Sequence, residues 1–359
     1  CINAFAKTEA RLLTRASRLE LPALQRQERG RLISLKTRDP WKYTHREAGD
    51  GDSLEAGLRW LDRAVAHGTD GLVSFGYEIG HGWLRSTTEA TCAAARAMAR
   101  AGVTSGRSEY ADKARQLCEG LRPPSDSIER PIVVEHADIF LTLDLVSGLL
   151  SEPFAGQSAA VARLRAFSES PLNTWKQLSP SSQAYVSLAL YHAGMEAPGL
   201  VGAGVTNLTE APSVELEEFF GELLAVSELA RAKSDARKLQ DLHRLVEDCM
   251  LRFERSKSLL EQGSSGAEYS STVASARLAL TLFMFAKLAG DPRYLNSALK
   301  LNEYLRGRQM RSRYASSAEG GMSATDPLGV GPSGWVCTAQ ATGLFVESLL
   351  REAREIDFR

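Results

Sequence analysis

The feature that most constrains the fold is a repeated unit of two helices with a glycine near the turn. Ser86-Thr87-Thr88-Glu89-Ala90-Thr91 opens a small-residue run that passes Gly102, resumes at Glu109-Tyr110 and ends at Leu121. Ser271-Thr272-Val273-Ala274 opens a second, which passes Gly290, resumes at Arg293-Tyr294-Leu295 and ends at Leu305. Ser181-Ser182-Gln183-Ala184-Tyr185 through Gly194 reads as the first half of a third. One hairpin cannot bury both of its faces, whereas stacked hairpins share a core. The expected fold is therefore all-α, built of antiparallel helical hairpins.

Periodicity extends this reading from residue 53 onward. Leu54, Leu58, Leu61 and Val65 recur on one helical face. Further helices are expected near 87–101, 110–121, 133–151, 157–169, 181–194, 214–232, 235–260, 270–289, 292–308 and 338–355, the one after Asp291 opening with Pro292 at the first helical position. β-branched residues are too sparse and unpatterned for a sheet of any size. Two loops echo each other. One runs Gly71-Leu72-Val73-Ser74, then Gly80-His81-Gly82-Trp83, then Glu89-Ala90-Thr91; the other runs Gly320-Gly321-Met322-Ser323, then Gly334-Trp335, then Gln340-Ala341-Thr342. They stand near the two ends of the array, so closure into a ring would make them neighbours.

Residues 1–49 differ from the rest: eleven Lys and Arg face five carboxylates. We read a solvated helix followed by a linker, a basic arm able to dock an acidic partner or an upstream domain, ahead of a ring domain over 50–359. The chain opens on Cys1 rather than Met, as a piece of a longer protein would. Its overall charge of −1 gives no reason to expect nucleic acid. Five widely spaced cysteines without a CxxC point to a reducing compartment, the cytoplasm, rather than a disulfide scaffold. The longest apolar runs, near Ile139–Leu150 and Leu278–Leu288, are interrupted or carry the period of a buried helix, so no membrane span is expected.

The helix–Gly–Asp-Pro-Arg-Tyr-Leu–helix unit at Leu278–Leu305, the loop Asp70–Trp83 and its counterpart Glu319–Trp335 resemble the α/α-toroid proteins, over roughly residues 54–355. This resemblance implies a closed ring of about six hairpins. The Gly-rich, aromatic loops look most like those of carbohydrate-acting members: glucuronyl C5-epimerase helical domains, polysaccharide lyases and glycosidases. It implies a glycan or small-molecule ligand held by loops at one end of the ring.

Within those loops, Tyr77, Glu78, His81 and Glu89 are the candidate acid/base residues. Histidine is the residue type that exchanges protons near neutral pH, and a pair of carboxylates serves glycoside chemistry. Trp83, Trp335, Gln340 and Asp326 are candidate ligand contacts. Each has a plainer reading: Trp83 plugs the barrel, Glu89 caps its helix, and His81 bonds a loop carbonyl. His136, beside Glu135 in an apolar helix, is a further candidate, because buried ionisable groups need a partner or a cavity. Neither DxDD nor DDxxD occurs, nor do a Walker loop, GxGxxG after a strand, or GxSxG. Cys92, Cys337 and His81 fall on the echoing segments without a Cys-His dipeptide, so no metal or other cofactor is expected. Two functions follow: a uronate epimerase, lyase or glycoside hydrolase, or a non-catalytic helical scaffold that binds a protein or small ligand in its concave cavity.

Overall fold

The computed structural model describes residues 23–28, 31–36, 50–122, 130–169, 175–196, 216–256, 259–262, 268–311, 316–326 and 335–357. Eleven helices lie among them: α1 (Asp50–Ala66), α2 (Thr88–Ser105), α3 (Ser108–Gly120), α4 (Arg130–Leu150), α5 (Ala155–Ser168), α6 (Pro180–His192), α7 (Leu216–Ala232), α8 (Ala236–Ser256), α9 (Thr272–Ala289), α10 (Pro292–Arg306) and α11 (Ala339–Asp357).

Their ends are written in the sequence. Thr87, Ser179, Ser271 and Asp291 accept hydrogen bonds from first-turn amides of α2, α6, α9 and α10. Pro180 and Pro292 follow two of these caps. The left-handed caps that end α2 and α9 are Gly106 and Gly290. Gly102, read from the sequence as the first turn, instead lies within α2. A Cβ there would meet the Ala111 backbone nitrogen at 2.7 Å, so this glycine lets the two helices of the hairpin approach closely.

The helices form two concentric layers. α2 packs on α4, α4 on α6, α6 on α7, α7 on α9, α9 on α11, and α11 back on α2, which closes an inner ring of six. Outside it, α1 packs on α11, α3 on α2, α5 on α4, α8 on α7, and α10 on α9. The sequence sorts the layers. In α9 almost every residue from Thr272 to Phe285 is buried, as an inner helix walled on several sides requires. In outer α8, the buried residues Leu242, Val246, Cys249, Met250 and Phe253 form one stripe and the opposite face is charged. α9 is long and apolar enough to cross a membrane, and here it is a mostly buried wall of the ring.

Small sheets gather at one end of the ring, where the sequence reading expected only loops. They comprise β3 (Val73–Ser74), β4 (Gly76–Glu78), β5 (Gly82–Trp83), β6 (Ser86–Thr87), β7 (Leu260–Gln262), β8 (Glu268–Ser271), β9 (Met322–Ser323), β10 (Thr325–Asp326) and β11 (Val336–Thr338). The key sheet has the order β5-β4-β11-β9, with Tyr77 opposite both Cys337 and Trp83. It joins the two echoing loops, which thus lie side by side. Further ties cross the same seam: Trp60 Nε1 donates to the Ser317 carbonyl at 3.0 Å, and Gln309 Nε2 to the Ser53 carbonyl at 2.9 Å.

In the basic N-terminal segment, β1 (Ala23–Glu28) pairs antiparallel with β2 (Arg31–Lys36). This hairpin replaces part of the expected helix and linker; the remainder of residues 1–49 lies outside the described residues.

Candidate active site in the central cavity

The inner ring encloses a cavity of about 1200 Å³, to which all six inner helices contribute. The helices run in one direction. The opening turns meet at one end, where Gly221 in the second turn of α7 lies near Ser181 of α6 and Arg277 in the second turn of α9. At the other end Asp144, near the end of α4, pairs with His192, the last residue of α6, at 3.0 Å. The lining runs from Glu89, Ser181 and Gln340 in first turns to His192, Arg231 and Glu355 in last turns.

Midway along the cavity, Asp138 of α4 accepts hydrogen bonds from Arg96 Nη1 of α2 and the Tyr185 hydroxyl of α6, each at 2.6 Å. Arg96 Nη1 also reaches Thr142 Oγ1 at 2.9 Å. Glu347 of α11 stands 3.8 Å from Arg96 Nε and 2.9 Å from Arg100 Nε. Carboxylate, guanidinium and phenol are thus fixed by three inner helices at once. Burial, and then the Asp138 charge, push the Tyr185 hydroxyl well above its ordinary range and hold it as a neutral donor. Burial opposes the charge on Arg96, but Asp138, Tyr185 and Glu347 outweigh it.

Glu89 stands in the first turn of α2, where solvent reaches it through the cavity although protein surrounds it. That crowding, followed by the Asp138 charge, raises its carboxyl above the usual range, and Arg277 and Arg96 oppose the rise. Gln340 Nε2 donates to Glu89 Oε1. A carboxyl with raised affinity for its proton, sharing a cavity with a carboxylate fixed by two donors, is an arrangement suited to acid/base work.

Of the residues singled out in the sequence, Glu89 and Gln340 line the cavity and touch each other, and Glu135 also lines it. Its neighbour His136 is buried and outside the lining, because adjacent helical residues point about a quarter-turn apart. Tyr77 is buried edge-on to Trp83, with ring centroids 5.3 Å apart. Trp83 also stacks on His67 at 4.8 Å and tilts against Trp60 at 5.5 Å. These contacts set Trp83 beside the outer helix α1, away from the cavity lining. Trp335 is partly buried against the same core, and its carbonyl accepts from the Ile79 amide at 3.0 Å. His81 is on the exposed tip of the β4–β5 turn, with Nε2 4.0 Å from Glu78 Oε1. Asp326 is held by the Tyr304 hydroxyl at 3.0 Å and Arg308 Nε at 2.8 Å, behind the ring wall. Burial raises its carboxyl, and Arg308 opposes the rise. Tyr77, Glu78, His81, Trp83, Trp335, Asp326 and His136 therefore do not converge on the cavity.

Sequence reading missed Arg96, Asp138 and Tyr185. Their signal was present: a charged residue inside an alanine-rich run, and one inside the apolar stretch Val133–Leu143, invite the same burial argument that drew attention to Glu135 and His136. Among the described residues no group of His, Cys, Asp and Glu is placed to hold a metal ion.

Two concentric layers of helices around a charged cavity define an α/α toroid. In structure the chain is similar to an unsaturated glucuronyl hydrolase specific for heparin, with a TM-score of 0.58 and 10% identity over 86% of this chain and 98% of that one. It is also similar to the cellobiose 2-epimerase of Bacillus thermoamylovorans B4167, with a TM-score of 0.53 and 10% identity over 83% of this chain and 98% of that one. At such identity the likeness is one of fold. No sequence family matches the chain, and no curated protein does.

Proposed function

We propose that the protein is a carbohydrate-active enzyme of the epimerase, lyase or glycoside hydrolase type, working by proton transfer inside the cavity. The observation that carries this reading is Glu89, with its raised carboxyl, sharing an accessible cavity with Asp138 clamped by Arg96 and Tyr185. Cleaving a glycosidic bond or inverting a sugar carbon needs one group that gives a proton and another that takes one or stabilises charge. In this reading Glu89 is the acid, Asp138 the base or charge stabiliser, and Tyr185 a neutral donor to a sugar oxygen. The sugar-acting names of the two structural neighbours add support. The acid/base groups come from inner helices rather than from the loops first favoured. Four described cysteines are buried and free, which fits the cytoplasm, and the basic arm is a docking element for a partner.

The test is incubation with uronate-containing oligosaccharides and with cellobiose in deuterated water, followed by mass spectrometry for cleavage or carbon-bound deuterium. The wild type should turn over at least one of these. Glu89→Gln and Asp138→Asn should lose at least about 100-fold of that rate while both stay folded at the assay temperature by circular dichroism. A second reading, a scaffold that holds a small ligand without chemistry, draws on the Glu89–Gln340 contact, which ties the seam of the ring. It predicts no turnover and undiminished ligand binding by Glu89→Gln.

A further inference from the structure

At the end of the cavity opposite Glu89, three arginines stand on three inner helices. Arg100 of α2, Arg231 of α7 and Arg351 of α11 all line the wall. Arg351 lies near enough to the other two for their charges to oppose its own. Two carboxylates stand among them without saturating them. Glu228 Oε1 is 3.7 Å from Arg351 Nη2, beyond hydrogen-bond reach. Glu347 Oε2 is 2.9 Å from Arg100 Nε but lacks the alignment of a hydrogen bond. Among the described residues Arg351 makes no hydrogen bond, and Arg231 forms no ion pair.

The plainest account is that cations complement the negative ends of six helix dipoles. That effect falls off within the last turn. It covers Arg231 at the end of α7, and Arg354, which donates to Thr104 at 3.0 Å. Arg100 and Arg351 stand five and six residues before the ends of their helices, at Ser105 and Asp357, and face the cavity instead. Guanidinium groups that repel one another, with donor edges free, match the flat, multidentate geometry of a carboxylate, sulfate or phosphate.

We infer that Arg351, Arg231 and Arg100 form an anion-binding site at this end of the cavity, distinct from the proton-transfer groups around Glu89. The ligand is a carboxylate, sulfate or phosphate, either free or borne by a sugar. From Gln340 to Arg351 the helix rises about 16 Å, so a ligand filling the cavity lengthwise would put its acidic group at one end and its reacting centre at the other. The site is a binding claim and does not depend on the cavity being catalytic.

Isothermal titration calorimetry at constant ionic strength tests it, with inorganic phosphate, sodium glucuronate, sodium acetate and neutral glucose as probes. The wild type should bind phosphate or glucuronate. Arg351→Gln and Arg231→Gln should each weaken that binding about tenfold or more, and Arg115→Gln on the outer surface should not. Glucuronate bound more tightly than both phosphate and acetate identifies the anion as one carried by a sugar; phosphate alone identifies a free anion. Arg231 is exposed, so its substitution remains informative if Arg351→Gln fails to fold. Absence of binding by all three anions, or equal binding by wild type and both cavity variants, overturns the inference. Anion binding without turnover of any glycan would leave the site standing and remove the proposed enzyme function alone.

Discussion

The side-chain amide of Gln340 donates a hydrogen bond to the Glu89 carboxylate across 251 positions of sequence, linking the first turns of the last and first inner helices. Glu and Gln occupy matching places in the two echoing segments, and ring closure turns that echo into a contact. One carboxylate and one amide can share a hydrogen bond at any pH; two carboxylates cannot once both have ionised.

Gln340→Glu should therefore be conditionally destabilising. At pH 8 the two charges repel, and the cost should be about 1 kcal/mol or more, read as a melting midpoint lower by roughly 2–4 °C. At pH 4 the difference from wild type should close. Glu89 itself holds its proton more tightly folded than unfolded. The stability it contributes is present below the ordinary carboxylate range and is lost as pH rises through the raised value. Glu89→Gln should flatten that part of the stability curve.

Trp83 and His81 should behave oppositely. Trp83 packs against Trp60, His67 and Tyr77, so Trp83→Ala should cost about 3 kcal/mol. His81 is exposed, and His81→Ala should stay within about 0.5 kcal/mol. Urea unfolding followed by circular dichroism measures both. Equal stability of the two variants would contradict this packing.

Glu222 of α7 is buried, and its Oε1 lacks a hydrogen-bond partner. Burial, opposed by Lys238 and reinforced by Glu218, raises its pKa from 4.5 to about 7. The folded state thus binds this proton more strongly than the unfolded one. Stability should fall as pH rises between about 4.5 and 7, by something on the order of 3 kcal/mol at most. Glu222→Gln should remove that fall and melt higher than wild type at pH 8. A variant that tracks wild type at every pH would mean that the carboxyl is not perturbed.

Gly320 has φ of +86°, and a Cβ there would lie 2.2 Å from the Ala56 carbonyl oxygen. Gly320→Ala meets both backbone strain and a collision with α1, so it should cost more than about 1 kcal/mol. Gly194, with φ of +71° and open space around it, separates the two effects. Its alanine variant should be the milder of the pair by chemical denaturation.

The fold was legible because it rests on local signals repeated along the chain. Caps at Ser271 and Asp291, the left-handed Gly290, and an apolar stripe at Leu242, Val246 and Phe253 state their helices without tertiary information. Likewise, the echo of Gly-Trp loops implied the seam that β4 and β11 form. The hairpin at 23–36 escaped notice because charge, not periodicity, dominated the reading of that segment. The candidate site was half legible: first-turn residues Glu89 and Gln340 follow from the loop echo. Asp138, Arg96 and Tyr185 lie on three helices separated by 42 to 89 positions, and only ring geometry brings them together. The aromatic residues were not legible in this way, because tryptophan beside glycine suits a sugar platform and a hydrophobic plug equally well until packing is known.

The seam also sets an order of events during synthesis. β4 and β5 leave the ribosome more than two hundred residues before β11, their partner, has been made. Until α11 emerges, the flank of α2 that receives it is uncovered, including Ala93, whose carbonyl oxygen lies so near Gly343 that a Cβ there would meet it at 2.9 Å. A nascent chain can assemble α2 to α7 as an arc, but it cannot shut the cavity until the last helix docks. Translation that stops before α11 therefore leaves an open arc with a long apolar edge, a species that chaperones would hold and proteases would clear.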